Sequence, residues 1–213
     1  MILTGLAPDP RRPDYRLVEV DRGRFASLPA ESLLGLDLVV GQEIRPLVFA
    51  RLQELADLEA AHRAAQRALA RRAHARFDLR RRLLQKQHPP QAVDAALDRL
   101  SAVGLLDDAR FAVDYAAAKA RRGRGPARLV RDLQAQGVDR RIAEEAVRTS
   151  LAAEGVDPAD AVRALAEKRA GQLAGLPSAV RTRRLVAFLM RRGFGGVEVR
   201  DVVARLREGS GPI

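Results

Sequence analysis

Arginine is the side chain here whose type and spacing suggest chemistry, because its guanidinium binds phosphate and carboxylate oxygens through several hydrogen bonds. Residues 62–86 contain nine Arg or Lys against one acid, residues 110–141 contain nine against three, and residues 163–192 contain eight against one. A solvated helix surface normally mixes both signs. The three clusters therefore predict a continuous positive stripe that faces an anionic partner, with a role in solubility alone as the alternative.

Nine of these arginines are the candidate residues for binding nucleic acid or a protein partner. Exposed contacts between cations and phosphates weaken steeply as salt rises, because counterions are released. Charge reversal within the set is therefore expected to weaken binding while leaving the helices intact. The set is Arg80, Arg81, Arg121, Arg122, Arg124, Arg128, Arg131, Arg183 and Arg184.

Residues with the spacing of a catalytic or metal site are missing from the sequence. The chain has no Cys, and Gly123-Arg-Gly-Pro126 lacks the preceding strand and the lysine of a phosphate-binding loop. His62 and His74 do not have the i, i+4 spacing of a helical zinc site. We therefore predict no catalytic residue, no cofactor and no metal, and a protein that is not an enzyme.

The composition is that of a globular protein, with 47% hydrophobic and 31% charged residues in a chain of 213. Residues 1–59 carry a net charge of −3 and residues 60–213 a net charge of +14, so the basic character belongs to the second part. No apolar run approaches the ~20 residues of a membrane span, and residues 1–13 lack the pattern of a signal peptide. We expect a cytoplasmic monomer without membrane contact.

Helices must position the arginines, and the helical pattern repeats. Residues 81–88, 131–138 and 187–194 align, each with a leucine four residues before a turn. An amphipathic helix follows each turn, and a further helix precedes each pair. These preceding helices are predicted at about residues 54–72, 108–121 and 158–172.

The predicted fold class is mainly α, with three tandem three-helix repeats in an elongated array and a small N-terminal segment that contains a β-hairpin. In that segment, residues 15–20 and 24–28 are predicted strands joined by the turn Asp21-Arg22-Gly23. Residues 36–40 are predicted to add a third strand or a short helix. The predicted domains are 1–50, 51–104, 105–155 and 156–213.

Large apolar residues on the helices are predicted to form the core. Phe111, Tyr115 and Ala118 follow the i, i+4, i+7 spacing of one helical face, which we expect to be buried at the join of the first two repeats. Phe77, Phe188 and Phe194 are assigned to packing as well. The core set is Leu83, Phe111, Tyr115, Leu133 and Leu189.

The stretch 104–112, Gly-Leu-Leu-Asp-Asp-Ala-Arg-Phe-Ala, joins the first two repeats. Gly104 suits the left-handed residue that closes a helix, and Asp107 or Asp108 suits the N-cap of the next helix. The sequence therefore predicts an elbow between two helices at this place.

Two stretches resemble the signature of the RecX regulators, and the resemblance spans roughly residues 60–206. It implies a protein that binds the RecA recombinase, lodges in the groove of its filament on single-stranded DNA, and restrains its ATPase, strand-exchange and coprotease activities. The matching residues are Leu105, Asp107, Asp108, Arg110, Phe111 and Ala112, and then Arg122-Gly-Arg-Gly-Pro126 through Leu133 to Gly137-Val138.

Two other functions remain open at this point. The first is a stand-alone DNA- or RNA-binding regulator that uses helix-turn-helix-like pairs around Gly137 or Gly193, for which Arg140 and Arg141 lie at the start of a second helix. The second is a structural scaffold without nucleic acid, whose complexes would be insensitive to salt.

Overall fold

The structure is a computed structural model that describes residues 1–153, 155 and 157–208. The described residues form a three-stranded antiparallel sheet, a short 3-10 helix and nine α-helices. The strands are β1 (Leu3–Asp9), β2 (Arg12–Val20) and β3 (Gly23–Pro29), and the 3-10 helix is Ala30–Leu33. The helices are α1 (Pro46–Leu69), α2 (Arg76–Gln85), α3 (Pro90–Ala102), α4 (Asp108–Ala120), α5 (Pro126–Ala135), α6 (Arg140–Ala153), α7 (Pro158–Gln172), α8 (Ser178–Arg192) and α9 (Gly196–Glu208).

The predicted hairpin is present as β2 and β3. Asp21 and Arg22 both have positive φ, at 48° and 62°, which is the backbone of the tight turn that matches the twist of a hairpin. Tyr15 pairs with Pro29 at one end of the ladder and Val20 pairs with Gly23 at the other. Both predicted strands are therefore present, and each is longer than its predicted range.

The prediction for residues 36–40 is wrong, because they form neither a strand nor a helix. The third strand is β1, which pairs with β2. Gly5 and Pro8 interrupt the strand pattern of β1, since both residues are poor strand formers. The loop that follows residue 40 runs along β1: Gly41 donates its N–H to the Leu3 carbonyl at 2.8 Å, and Leu3 donates to the Gln42 carbonyl at 3.0 Å.

Most helices begin where the local sequence predicts. Pro90 and Pro126 occupy the first turns of α3 and α5, where their missing N–H costs nothing. The Asp107 carboxylate accepts hydrogen bonds from the N–H groups of Ala109 at 2.9 Å and Arg110 at 3.0 Å, as predicted for the elbow. Helix α1 differs, because it starts at Pro46 instead of near residue 54.

Two compact units divide the chain. The first consists of Met1–Ala73 with Leu79–Leu106, and the second consists of His74–Asp78 with the chain from Asp107 onward. In the first unit the sheet packs on α1 around Leu28 and Leu52, and a separate cluster joins α1, α2 and α3. In the second unit α4 to α6 enclose one apolar cluster and α7 to α9 enclose another.

The predicted core residues Leu83, Phe111, Leu133 and Leu189 are buried, and Tyr115 is half-buried. Phe111 lies in the cluster that α4 to α6 enclose, beside Ala112 and Leu133. Phe194 is buried and Phe188 is half-buried. The helical face predicted from Phe111 ends earlier than expected, because Ala118 is exposed. Phe77 is also exposed, so its assignment to the core is wrong.

Candidate nucleic-acid and partner interface

The start of α5 is hydrogen-bonded to the end of α8 within the second unit. Gly125 donates its N–H to the Arg192 carbonyl at 2.7 Å, and Ala127 donates to the Gly193 carbonyl at 3.2 Å. The first N–H groups of a helix and its last carbonyls have no partners inside the helix. Each helix end therefore satisfies the other, and the helix dipoles meet with opposite partial charges.

Glycine is required on both sides of this joint, which we call the α5–α8 joint. A Cβ on Gly125 would lie 2.6 Å from the carbonyl carbon and oxygen of Gly193. A Cβ on Gly193 would overlap the Cβ and backbone nitrogen of Arg128. The stretch Arg122-Gly-Arg-Gly-Pro126 is thus part of a joint between the second and third repeats, and carbonyl groups occupy the helix start that a phosphate would need.

A similar close approach occurs at Gly137, two residues after the end of α5. A Cβ there would overlap the Cβ and ring of Phe77, which is the second residue of α2. The N–H of Arg76 donates to a carboxylate oxygen of Asp108 at 2.7 Å, and His74 Nδ1 lies 2.8 Å from the Asp78 carboxylate. Backbone and buried polar groups therefore hold residues 74–78 within the second unit.

Carboxylates hold three of the nine predicted binding arginines. Arg80 makes a two-pronged pair with Asp94, at 2.6 and 3.0 Å, and this hydrogen bonding raises the pKa of Arg80. Asp132 accepts from Arg124 and also from Arg128, the latter at 2.9 Å. The Arg124 guanidinium further donates to the Tyr115 hydroxyl at 3.2 Å. Arg80 thus joins two helices, Arg124 joins the preceding turn to α5, and Arg128 pairs within α5, so the charge of all three is already partly matched.

Four other predicted arginines are exposed and bind no carboxylate within the part of the chain that the structure describes. Arg131 makes one hydrogen bond, from its Nε to the Ala127 carbonyl at 3.3 Å, which leaves its remaining N–H groups to solvent. Arg81 and Arg121 are exposed as well. The four arginines that are exposed and bind no carboxylate of the described residues, which we call the open arginines, are Arg122, Arg131, Arg183 and Arg184.

Arg192 is a residue of the joint that the predicted set did not include. Its Nη1 donates to the Arg122 carbonyl at 3.0 Å, and its guanidinium lies 5.3 Å from the centroid of the Phe188 ring. Arg169 lies over the same ring at 5.2 Å. The sequence signal was a pair of arginines immediately before the glycine that closes α8. Arg192 thus places positive charge where the second and third repeats meet.

Other parts of the protein cover both turns that the helix-turn-helix interpretation would use to contact DNA or RNA. Gly193 is buried under the start of α5, and the Gly137 turn is covered on one side by Phe77. Arg140 is paired with Glu144 at 2.7 Å at the start of α6, which engages one of the two arginines expected to read bases. The turns therefore serve contacts inside the protein.

The buried polar groups of the first unit have structural partners. The Glu59 carboxylate accepts from the Tyr15 hydroxyl at 3.2 Å and from Arg99 at 3.1 Å, which ties the sheet to α1 and α3. Burial and the Glu59 charge raise the pKa of Tyr15, and burial lowers the pKa of His62. No group of three or more His, Cys, Asp or Glu among the described residues is placed to hold a metal ion. None of the described helices is long and apolar enough to cross a membrane.

The fold and this surface define a class of protein: three-helix repeats with their own cores, a glycine joint between the second and third repeats, and exposed arginines. Family models of the first, second and third three-helix domains of RecX match residues 61–100, 107–147 and 156–203. The regulatory protein RecX of Halorhodospira halophila is 37% identical over 151 residues, covering 70% of this chain and 90% of that protein. The RecX of Mycobacterium marinum is 39% identical over 144 residues, covering 64% and 79%.

Solved structures agree in fold. A crystal structure of a regulatory protein RecX superposes with a TM-score of 0.75 at 18% identity, covering 96% of this chain and 98% of that one. RecX from Lactobacillus salivarius superposes with a TM-score of 0.62 at 19% identity, covering 71% and 97%. The chain belongs to the RecX family of regulatory proteins.

Proposed function

We propose that the protein binds the RecA recombinase and its filament on single-stranded DNA and inhibits the ATPase, strand-exchange and coprotease activities. Membership of the RecX family is the observation that carries this proposal. The positive charge of residues 60–213 supports it, because a filament on DNA is an anionic surface. The expected setting is the cytoplasm, during recombination, DNA repair and the SOS response, with the protein acting as a monomer.

The inhibition arises from occupancy of the filament groove. A bound helical protein blocks strand exchange sterically, and its cations compete for phosphate contacts. The open arginines suit this role, since each guanidinium presents N–H groups to solvent without a carboxylate to displace. Arg80, Arg124 and Arg128 support the surface instead, because they are paired inside the protein. We also propose that the protein consists of the four predicted domains, with boundaries at residues 50, 104 and 155.

The test is the RecA ATPase rate on single-stranded DNA against inhibitor concentration. The parent chain is expected to inhibit in proportion to the filament sites it fills, and to be retained on RecA with and without DNA in a pull-down. The double variant Arg183→Gln, Arg184→Gln should need a several-fold higher concentration and should show a smaller dependence on salt, since each lost phosphate contact lowers the salt slope by about one.

A matched control is available on α6. Arg140 and Arg148 are exposed but paired with Glu144 and Glu145, so Arg140→Gln, Arg148→Gln removes the same charge from cations that already have partners. This control should inhibit like the parent. Inhibition far below stoichiometry would contradict occupancy, and absence of any effect on RecA would overturn the proposed function.

A further inference from the structure

One aromatic side chain of the chain is exposed. The sequence holds six Phe and two Tyr, all within the described residues. Seven of the eight are buried or half-buried, whereas Phe77 is 53% exposed. Phe77 gains only part of the free energy that burial of a Phe provides, so its surroundings decide what else it contributes.

The backbone on both sides of Phe77 is held in place by buried contacts and hydrogen bonds. Ala75 is fully buried, the Arg76 N–H is held by Asp108, and the buried His74 and Asp78 side chains contact each other at 2.8 Å. The Phe77 Cβ and the near edge of the ring fill the space that a Cβ on Gly137 would need. The part of Phe77 next to Gly137 is thus covered by the protein, and about half of the residue is exposed to solvent. Such a residue loses little conformational entropy when a partner binds.

The charges beside the Gly137 turn favour an anionic partner. Arg131 lies on α5, six residues before Gly137, which corresponds to about 9 Å along a helix axis. Arg141 follows the turn and lies in the first turn of α6. Both are exposed, and neither side chain has a carboxylate partner in the described part of the chain. The acids of this region have partners: Asp139 accepts from the Arg141 N–H at 2.8 Å, Glu144 holds Arg140, Asp132 holds Arg128, and the Asp78 carboxylate contacts His74.

We propose that Phe77 is a stacking platform for an unpaired base of single-stranded nucleic acid, with the neighbouring phosphates bound by Arg131 and Arg141. Aromatic rings combined with cations are how proteins bind single strands without reading their sequence. A paired base in a duplex offers no free face, so the site selects single strands. This inference rests on the proposed function in one respect, namely that the protein encounters single-stranded DNA. It adds that the protein contacts this DNA directly, without the recombinase.

The test uses intrinsic fluorescence without recombinase. The chain contains no Trp, so Phe77→Trp introduces a single indole fluorophore at the site. Titration with a short oligothymidylate should quench its emission, and the matching duplex should quench it far less. The control is Val197→Trp, another exposed apolar position of the second unit, which should not be quenched.

Affinity variants separate stacking from packing. Phe77→Ala should weaken binding to the oligothymidylate about tenfold, in the range found for loss of one stacked base. Phe77→Leu keeps an apolar contact with Gly137 but has no ring, and it should lose nearly as much, whereas Phe77→Tyr should bind like the parent. Unfolding curves of the same variants check that each is folded at the assay temperature.

The outcomes are distinct. Unchanged affinity of Phe77→Ala, or binding by Phe77→Trp without quenching, overturns the stacking site, and so does a parent chain with no affinity for the oligothymidylate. Loss of RecA-filament binding by Phe77→Ala with unchanged affinity for free DNA would make Phe77 a protein anchor, which also overturns the inference. RecA inhibition by the parent in each of these cases would leave the proposed function standing.

Discussion

The turns that follow α2 and α8 have the same backbone but different residues. Gln87 has φ of 64° and Gly193 has φ of 89°, so both are left-handed. In each turn the next residue donates its N–H to the carbonyl of a leucine five positions earlier: His88 to Leu83 at 3.3 Å, and Phe194 to Leu189 at 3.0 Å. This arrangement closes a helix, and it usually places glycine at the left-handed position.

The difference lies in what approaches each turn. Gln87 is exposed, whereas Gly193 is buried under the start of α5. A left-handed backbone costs a residue with a Cβ about 1 to 2 kcal/mol, which a folded protein tolerates at single positions. A backbone that occupies the place of the Cβ is not tolerated. Close approach, more than the φ angle, therefore makes glycine necessary in these repeats.

The largest effect is expected for Gly193→Ala, because Gly193 has both a positive φ and a neighbouring backbone in the place of a Cβ. The new Cβ would overlap Arg128, so α5 must move away from α8 and the hydrogen bonds of Gly125 and Ala127 are lost. We expect a loss of about 3 to 5 kcal/mol in the free energy of unfolding, from strain at positive φ and from overpacking. Urea unfolding followed by circular dichroism measures it. A loss below that of Gly104→Ala would contradict the role given to close approach.

Gly125→Ala isolates the contact, because the φ of Gly125 is −78° and any residue adopts it. The added Cβ would lie 2.6 Å from the Gly193 carbonyl, so the joint must open while no left-handed strain is created. Overpacking and a weakened hydrogen bond should lower the free energy of unfolding by about 2 to 3 kcal/mol. Amide hydrogen exchange at position 125 and at Ala127, whose N–H groups donate across the joint, should speed up in this variant. Exchange at the parent rate would show that the joint had not opened.

Gly104→Ala isolates the φ angle. Gly104 has φ of 69°, and none of the described atoms would lie within 4 Å of an added Cβ. Only the left-handed strain remains, and the expected loss in the free energy of unfolding is about 1 kcal/mol. The same urea titration measures it, with Gly104→Asn as the control, since Asn tolerates this region better than Ala. Equal losses for Ala and Asn would mean that strain at φ is not the cause.

Gln87→Gly should have the smallest effect, and in the opposite direction. Removing the side chain relieves the strain at φ of 64°, while glycine adds conformational freedom to the unfolded chain. The two effects nearly cancel, and we expect a gain of about 0.5 kcal/mol. Thermal unfolding should show a melting temperature equal to that of the parent or slightly higher. A marked destabilisation would reveal that the Gln87 side chain itself stabilises the turn.

The sequence by itself determined the helices, their caps and the repeat, because these depend on residues close along the chain. Leu83, Leu133 and Leu189 mark the same place in three repeats and are all buried. Asp107 sits two and three residues before the N–H groups it caps. Such local rules also predicted the hairpin of β2 and β3, and the residues that resemble the RecX signature identified the family that the comparisons confirm.

Only the tertiary structure decided which arginines are paired, which glycines are in contact and which aromatic ring is exposed. Arg80 meets Asp94 across two helices, and Gly125 meets Gly193 from 68 positions away. Nothing in the local pattern distinguishes Arg124, which is paired, from Arg122, which is open. The physical reason is that helical periodicity assigns a residue to a face of its own helix, whereas the packing of several helices decides what that face meets.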